Sequence, residues 1–197
     1  MPPVETMHAQ PTGEDPPRDE APPGEAPSPE RMSSGEWTRL LSWALAVVLL
    51  DQASKVIVYR TLTLHGPSRP VLGDVLRLTY IHNAGSAFGL FGGSRWFFVG
   101  VLLLSILVIL ALARSGRYRD SCLVTAFGLI LGGAVGNLVD RLWLGKVIDF
   151  IEMGIAGHYW PVYNVADIGV TVGVFLLAIR VFFAKQPVGD GAGEPAP

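Results

Sequence analysis

Asn137, Asp140, Arg141 and Asp149 follow directly on a hydrophobic segment, Leu123 to Val135, that carries no ionisable residue. A second polar group, Asn164-Val-Ala-Asp167, opens the next hydrophobic segment, so the pattern Asn-x-x-Asp occurs twice. Polar and ionisable groups gathered at the mouth of a hydrophobic helix are costly and are read by default as functional. We expect Asp149 and Asp167 to meet across one site. Two carboxylates held close in a low-dielectric setting do not both ionise readily, so they share a proton. The ionised acid can then take a proton from water while its protonated partner polarises a carbonyl, which is acid–base chemistry suited to peptide hydrolysis and needs no cofactor. Asp167, in the first turn of a helix, is the member whose charge the helix dipole favours. Which of the two holds the proton at rest is left open by sequence.

Those residues must be positioned by spans of a membrane. The chain of 197 residues is 50% hydrophobic and 16% charged, with a mean hydropathy of +0.40, which places it among small integral membrane proteins. Nothing in its charge resembles a nucleic-acid-binding face. The single cysteine, Cys122, rules out an intramolecular disulfide. His65 and His82 show no metal-ligand spacing, and no metal site is expected. Residues 1 to 30 hold seven acids against one arginine, Arg18, in a Pro- and Gly-rich context, so residues 1–33 are expected to form a disordered cytoplasmic tail that does not read as a signal peptide. Residues 34–185 form the membrane domain and residues 186–197 a flexible tail.

Four hydrophobic segments follow, at about Trp37 to Tyr59, Trp96 to Ala113, Cys122 to Val139 and Asn164 to Phe183, each long enough to cross a core of roughly 30 Å. The first carries Asp51, Gln52, Ser54 and Lys55 in its last third. Asp51 and Lys55 are spaced for a helical ion pair, either neutralising each other at the membrane edge or bracing a polar chamber. A Ser54–Lys55 dyad is disfavoured because neighbours on a helix point about 100° apart. In the long connection 60 to 95, partial alternation over Thr61 to Leu64 and Val75 to Ile81 predicts a small twisted sheet, and Asn83-Ala-Gly-Ser-Ala-Phe-Gly89 predicts a tight turn. The short loop holding Arg114, Arg117 and Arg119 is assigned to the cytoplasm by the positive-inside rule, which puts both termini inside and the 60–95 and 140–163 connections outside. Gly128, Gly132 and Gly136 form a smooth stripe for close helix packing. Asn137, Asp140 and Arg141 share a face at i, i+3 and i+4, while Leu142 to Tyr163, with its tryptophans, suits the headgroup boundary. Asn164 is a natural N-cap. Ionisable groups from three spans therefore converge at one level on the outer side.

Asp51-Gln-Ala-Ser-Lys55, Asn83-Ala-Gly-Ser-Ala-Phe-Gly89, Gly133-Ala-Val-Gly-Asn-Leu-Val-Asp-Arg141 with Val147-Ile-Asp-Phe150, and Tyr163-Asn-Val-Ala-Asp167 occur in that order. Over roughly Trp37 to Phe183 the chain resembles lipoprotein signal peptidase, or signal peptidase II, a bacterial membrane aspartic peptidase. The resemblance implies a membrane all-α fold of four transmembrane helices, with a small extracytoplasmic β-cradle drawn from the first outer loop. It implies a catalytic dyad of Asp149 and Asp167 rather than Asp140. Asn83, Asn137, Arg141 and Asn164 would line the pocket and position substrate, with Asp51, Lys55 and Asp140 in support. The substrates would be prolipoproteins bearing a diacylglyceryl cysteine, cut on the amino side of that cysteine by a monomer in the bacterial inner membrane, and the antibiotic globomycin would target it. No cofactor or nucleic acid is implied; membrane lipids are partners. Two other readings compete on the residues alone. One makes the aspartates structural, capping helices and pairing with Arg141 and Lys146. The other is a small proton-coupled transporter or channel, which four short spans with acids at one face suit poorly.

Overall fold

A computed structural model describes residues 31–85, 94–116 and 118–183. Residues 1–30, 86–93, Arg117 and residues 184–197 lie outside them, Ser86 to Gly89 of the Asn83 motif included, so that of the expected tails only Arg31, Met32 and Ser33 are described.

The four expected spans are four helices: α1 (Ser34–Thr61), α2 (Arg95–Arg114), α3 (Ser121–Trp143) and α4 (Val165–Phe183). All four are long and apolar enough to cross a bilayer. Their starts are written in the sequence. Ser33 caps α1 in a reciprocal box, its Oγ accepting from the Glu36 N–H at 3.3 Å while the Glu36 carboxylate accepts from the Ser33 N–H at 2.6 Å. Ser94 and Asp120 cap α2 and α3 through side-chain oxygens, satisfying N–H groups that a helix start otherwise leaves open.

Helix α3 is the centre of the bundle: 72% of its apolar window is buried, against 17% for α2 and for α4. The glycine stripe makes this possible. A Cβ on Gly132 would come within 2.6 Å of the Ala44 carbonyl oxygen of α1, and one on Gly128 within 2.6 Å of the Leu40 carbonyl. Gly133, on another side, lies against the Ala166 carbonyl of α4. Backbones that meet this closely gain packing that lipid cannot supply. Leu40, Ala44, Ile109, Ala113, Val124 and Phe127 fill the seam of α1, α2 and α3.

Between the spans lies one antiparallel sheet in the order β1-β2-β3-β4: Arg69–Leu72, Leu76–Asn83, Val147–Ile155 and His158–Tyr159. Here two expectations are corrected. No strand forms over Thr61 to Leu64, because Thr61 still belongs to α1, its hydroxyl donating to the Ile57 carbonyl at 2.8 Å, and His65 turns with φ +55°. The first strand comes after Gly66-Pro67 instead. Nor is the cradle drawn from the first outer loop alone, since β3 and β4 come from the second connection, the stretch expected to lie at the headgroup boundary. Tyr80, Ile148 and Phe150 bury against Val58 of α1 and anchor the sheet to the bundle.

Candidate active site

Each carboxylate is placed by a different element. Asp149 lies on β3 opposite Ile81 of β2, just past a register shift between Leu78 and Ile81. Irregularities of this kind re-aim side chains, and here Asn83, two residues past Ile81, reaches Asp149: its amide donates to Asp149 Oδ2 at 2.8 Å. The Asn83 oxygen is held by the Gly85 N–H at 2.7 Å, which fixes the amide with its donor end on the carboxylate. Asp167 lies in the first turn of α4. The Asp167 N–H donates to Asn164 Oδ1 at 3.0 Å and the Asn164 N–H donates back to Asp167 Oδ2 at 3.1 Å. The second Asn-x-x-Asp copy is thus a capping box with a carboxylate at its third position.

Two amides join the aspartates. Asn164 donates to Asp149 Oδ1 at 2.7 Å and to Asn137 Oδ1 at 3.1 Å, and Asn137 donates to Asp167 Oδ1 at 2.8 Å. Asp149 is 1% exposed, and that burial pushes its carboxyl up to about 6. The Asn83 and Asn164 donors and the Lys55 charge oppose the rise, while the Asp167 charge adds to it. Asp167 is half-buried and lines a cavity of about 460 Å³ with Trp160, Tyr163, Ile168 and Val172. One carboxyl is therefore dry and keeps its proton up to about pH 6, and the other is open to an arriving molecule. Such a pair can deliver a proton on one side of a reacting group and remove one on the other.

Behind the pair sits a buried ionic cluster. Lys55 Nζ lies 2.8 Å from Asp51 Oδ2 and 2.9 Å from Asp140 Oδ2. Asp51 Oδ1 accepts from the Ala166 N–H at the start of α4 at 2.9 Å, and Asp140 Oδ2 accepts from the Ile148 N–H beside Asp149 at 3.0 Å. The cluster thus pins α1, α3, β3 and α4 to one point. Gln52 belongs to it as well, donating to Asp51 Oδ2, the Gly136 carbonyl and Asp140 Oδ1 at 3.1 to 3.2 Å. Sequence reasoning passed over Gln52; its place inside Asp51-Gln-Ala-Ser-Lys55, one helix turn from Lys55, was the available signal. Ser54 turns back to the Asp51 carbonyl at 2.8 Å and takes no part.

Arg141 is buried, its guanidinium stacked 4.3 Å from the centre of the Phe98 ring of α2. Its Nη1 finds no hydrogen-bond partner among the described residues. Neither Arg141 nor Lys146 forms an ion pair with Asp149 or Asp167 among the described residues, so the charge-pairing half of the structural reading is not observed; the capping half holds for Asp167. His82 receives or shares a proton with the Tyr80 hydroxyl at 3.0 Å, and burial lowers its pKa.

The family model described as signal peptidase (SPase) II matches residues 43–183. The lipoprotein signal peptidase of Symbiobacterium thermophilum is 41% identical over 143 residues, covering 73% of this chain and 93% of that protein. The lipoprotein signal peptidase of Nitratidesulfovibrio vulgaris is 38% identical over 161 residues, covering 79% and 96%. Among solved structures, a bacterial membrane enzyme determined by the in meso method at 2.3 Å superposes with a TM-score of 0.71 at 29% identity, covering 83% of this chain and 98% of that one.

Proposed function

Because the chain belongs to the signal peptidase II family, a multi-pass bacterial membrane peptidase of aspartic type that removes signal peptides from lipoproteins, we propose that Asp149 and Asp167 are its catalytic dyad. The observation that carries this is the run of hydrogen bonds from Asp149 through Asn164 and Asn137 to Asp167. In the reactive form the proton shared by the dyad is on Asp149, whose burial favours the neutral acid, and Asp167 in the first turn of α4 carries the charge. Asp167 takes a proton from water as the water oxygen bonds to the scissile carbonyl carbon, and Asp149 gives its proton to the carbonyl oxygen. The diol then collapses: Asp149 recovers the proton from one hydroxyl, the C–N bond breaks, and Asp167 protonates the departing amine. Both acids return to their starting states.

The bond cut lies on the amino side of a diacylglyceryl-modified cysteine in a prolipoprotein. Arg141, buried with an unpartnered nitrogen, donates to a peptide carbonyl of the bound chain; Asn83, Asn137 and Asn164 orient the acids. The site faces the extracytoplasmic side with both termini in the cytoplasm. The exposed Tyr59, Trp96, Trp143 and Trp160 at that end support this, as such rings collect at the headgroup level. At the other end, arginines join the helices, Arg119 to Glu36 at 3.2 Å and Arg180 to Asp120 at 3.0 Å. The test is cleavage of a diacylglyceryl-modified prolipoprotein by the purified enzyme and by Asp149→Asn and Asp167→Asn. Each variant is expected to lose roughly 10² to 10⁴ in rate while remaining folded. Near-normal cleavage by either would make that aspartate structural.

A further inference from the structure

We infer that Lys55 is a positioning residue for Asp167, acting by dictating which end of the Asn137 amide faces it; the inference rests on the dyad reading above. An asparagine amide presents an acceptor oxygen and a donor NH₂ of nearly equal size, so packing alone does not choose between its two orientations. The choice falls to neighbours that can only donate or only accept.

Lys55 is such a neighbour. An ammonium has three N–H donors and no acceptor, and every partner it meets is an acceptor: it donates to Asp51 Oδ2 at 2.8 Å and to Asn137 Oδ1 at 3.3 Å and pairs with Asp140 Oδ2 at 2.9 Å. With its side chain 2% exposed, it has no recourse to water. Asn137 must therefore offer Lys55 its oxygen, which leaves its NH₂ to Asp167 Oδ1. Turned over, the Asn137 oxygen would face the Asp167 carboxylate, and its NH₂ would face both the ammonium and the Asn164 NH₂. All three contacts would pair like with like. The other two amides do not depend on Lys55. Asn83 is held by the Gly85 N–H and Asn164 by the Asp167 N–H. Lys55 itself makes no hydrogen bond or ion pair with either aspartate among the described residues. Its hydrogen bonding therefore reaches Asp167 through Asn137, beside the hold its ion pairs keep on the backbone at Ala166 and Ile148.

The test is a pair of double-mutant cycles on the full chain in detergent, read as kcat and KM for a diacylglyceryl-modified prolipoprotein. Lys55→Met and Asn137→Leu should each lower kcat about ten- to a hundredfold, the range for losing one hydrogen bond to a charged group, with KM unchanged. Combined, they should lose clearly less than the product of the two single losses. Lys55→Met combined with Asn83→Leu, whose amide serves Asp149, should instead multiply the two losses. If Lys55→Met does not fold, Lys55→Met/Asp140→Asn takes its place: it removes one charge of each sign and keeps an oxygen for the Ile148 N–H. Multiplying losses in the Asn137 cycle, or a loss carried by KM, would overturn the inference. Asp167→Asn, run alongside, separates the two levels. If it stays active, the dyad reading fails first; if it is dead while Lys55 and Asn137 act independently, only the role of Lys55 falls.

Discussion

The burial of Asp149 makes the enzyme carry a stability penalty that pH should reveal. Its carboxyl stands at about 6 against an ordinary 3.8. At about 1.4 kcal/mol per tenfold, that difference is worth roughly 3 kcal/mol. The sign follows from proton counting. Between about pH 4 and pH 6 the folded chain binds more protons at this site than the unfolded chain, so the contribution of Asp149 to stability is greatest below about 4 and is lost as pH rises through about 6. Asp149→Asn removes the titration and keeps the volume. It also turns one acceptor into an NH₂ that confronts the Asn83 or the Asn164 donor, costing about 1–3 kcal/mol at every pH. The variant should therefore be the less stable chain at pH 4 and draw level with or pass the native chain at pH 7.5. The assay is thermal unfolding of both proteins in detergent at pH 4, 5, 6 and 7.5. At about 2–4 °C per kcal/mol for a chain of this size, the difference in Tm should move by roughly 6–12 °C in favour of the variant across the series. Every other titrating group is common to the two chains. A difference that stays flat from pH 4 to 7.5 would refute the claim that burial raises the Asp149 carboxyl well above its ordinary range.

Two further outcomes follow from the geometry. Gly132→Ala should destabilise the bundle by about 1–3 kcal/mol, because the new methyl would sit 2.6 Å from the Ala44 carbonyl, whereas Gly100→Ala on α2 meets nothing within 4 Å and should be neutral or stabilising by up to about 1 kcal/mol; unfolding of the two variants side by side checks the contrast. Arg141→Met puts an apolar side chain beside Phe98 in place of the stacked guanidinium and removes the unpartnered donor, so KM for the lipidated substrate should rise about tenfold with the unfolding midpoint little changed; an unaltered KM would leave Arg141 with a packing role only.

Much of this arrangement was legible in the residues. The four spans stood out because apolar length is a strong signal, and the glycine stripe because a spacing of four admits one reading, close helix contact. The meeting of Asp149 with Asp167 could be argued from topology, since α3 leaves the membrane where α4 enters it. The sheet was harder to see. Val147-Ile-Asp-Phe-Ile has apolar residues on both faces, because β3 buries one side against α1 and turns the other to the site, so the alternation that marks a half-solvated strand is missing. The β-branched run and the Ala156-Gly157 turn were the remaining clues. Thr61 to Leu64 misled in the opposite way: its alternation continues a helix end whose side chains still bond one turn back. Which acid is dry could not be read at all, as it depends on how β3 is seated, with Ile148 and Phe150 packed against Tyr80 of β2 and Val58 of α1.

The central place of α3 also bears on how the protein is made. Synthesis runs from the N-terminus, so α1 and α2 enter the bilayer before the helix that both of them pack on. During that interval Asp51 lacks the Ala166 N–H and Lys55 lacks Asp140 and Asn137. The two are a turn apart and bond each other within a single helix, so α1 crosses with its charges already mutually neutralised. The hub then arrives and gathers its neighbours. Asp167, on the last span, is delivered after Asn83, Asn137 and Asp149, and Asn164 brings its link to Asp149 in the same turn of helix. The ribosome therefore assembles a protease whose proposed dyad is incomplete until its final span is in place, which would shield nascent membrane chains nearby from a partly built enzyme.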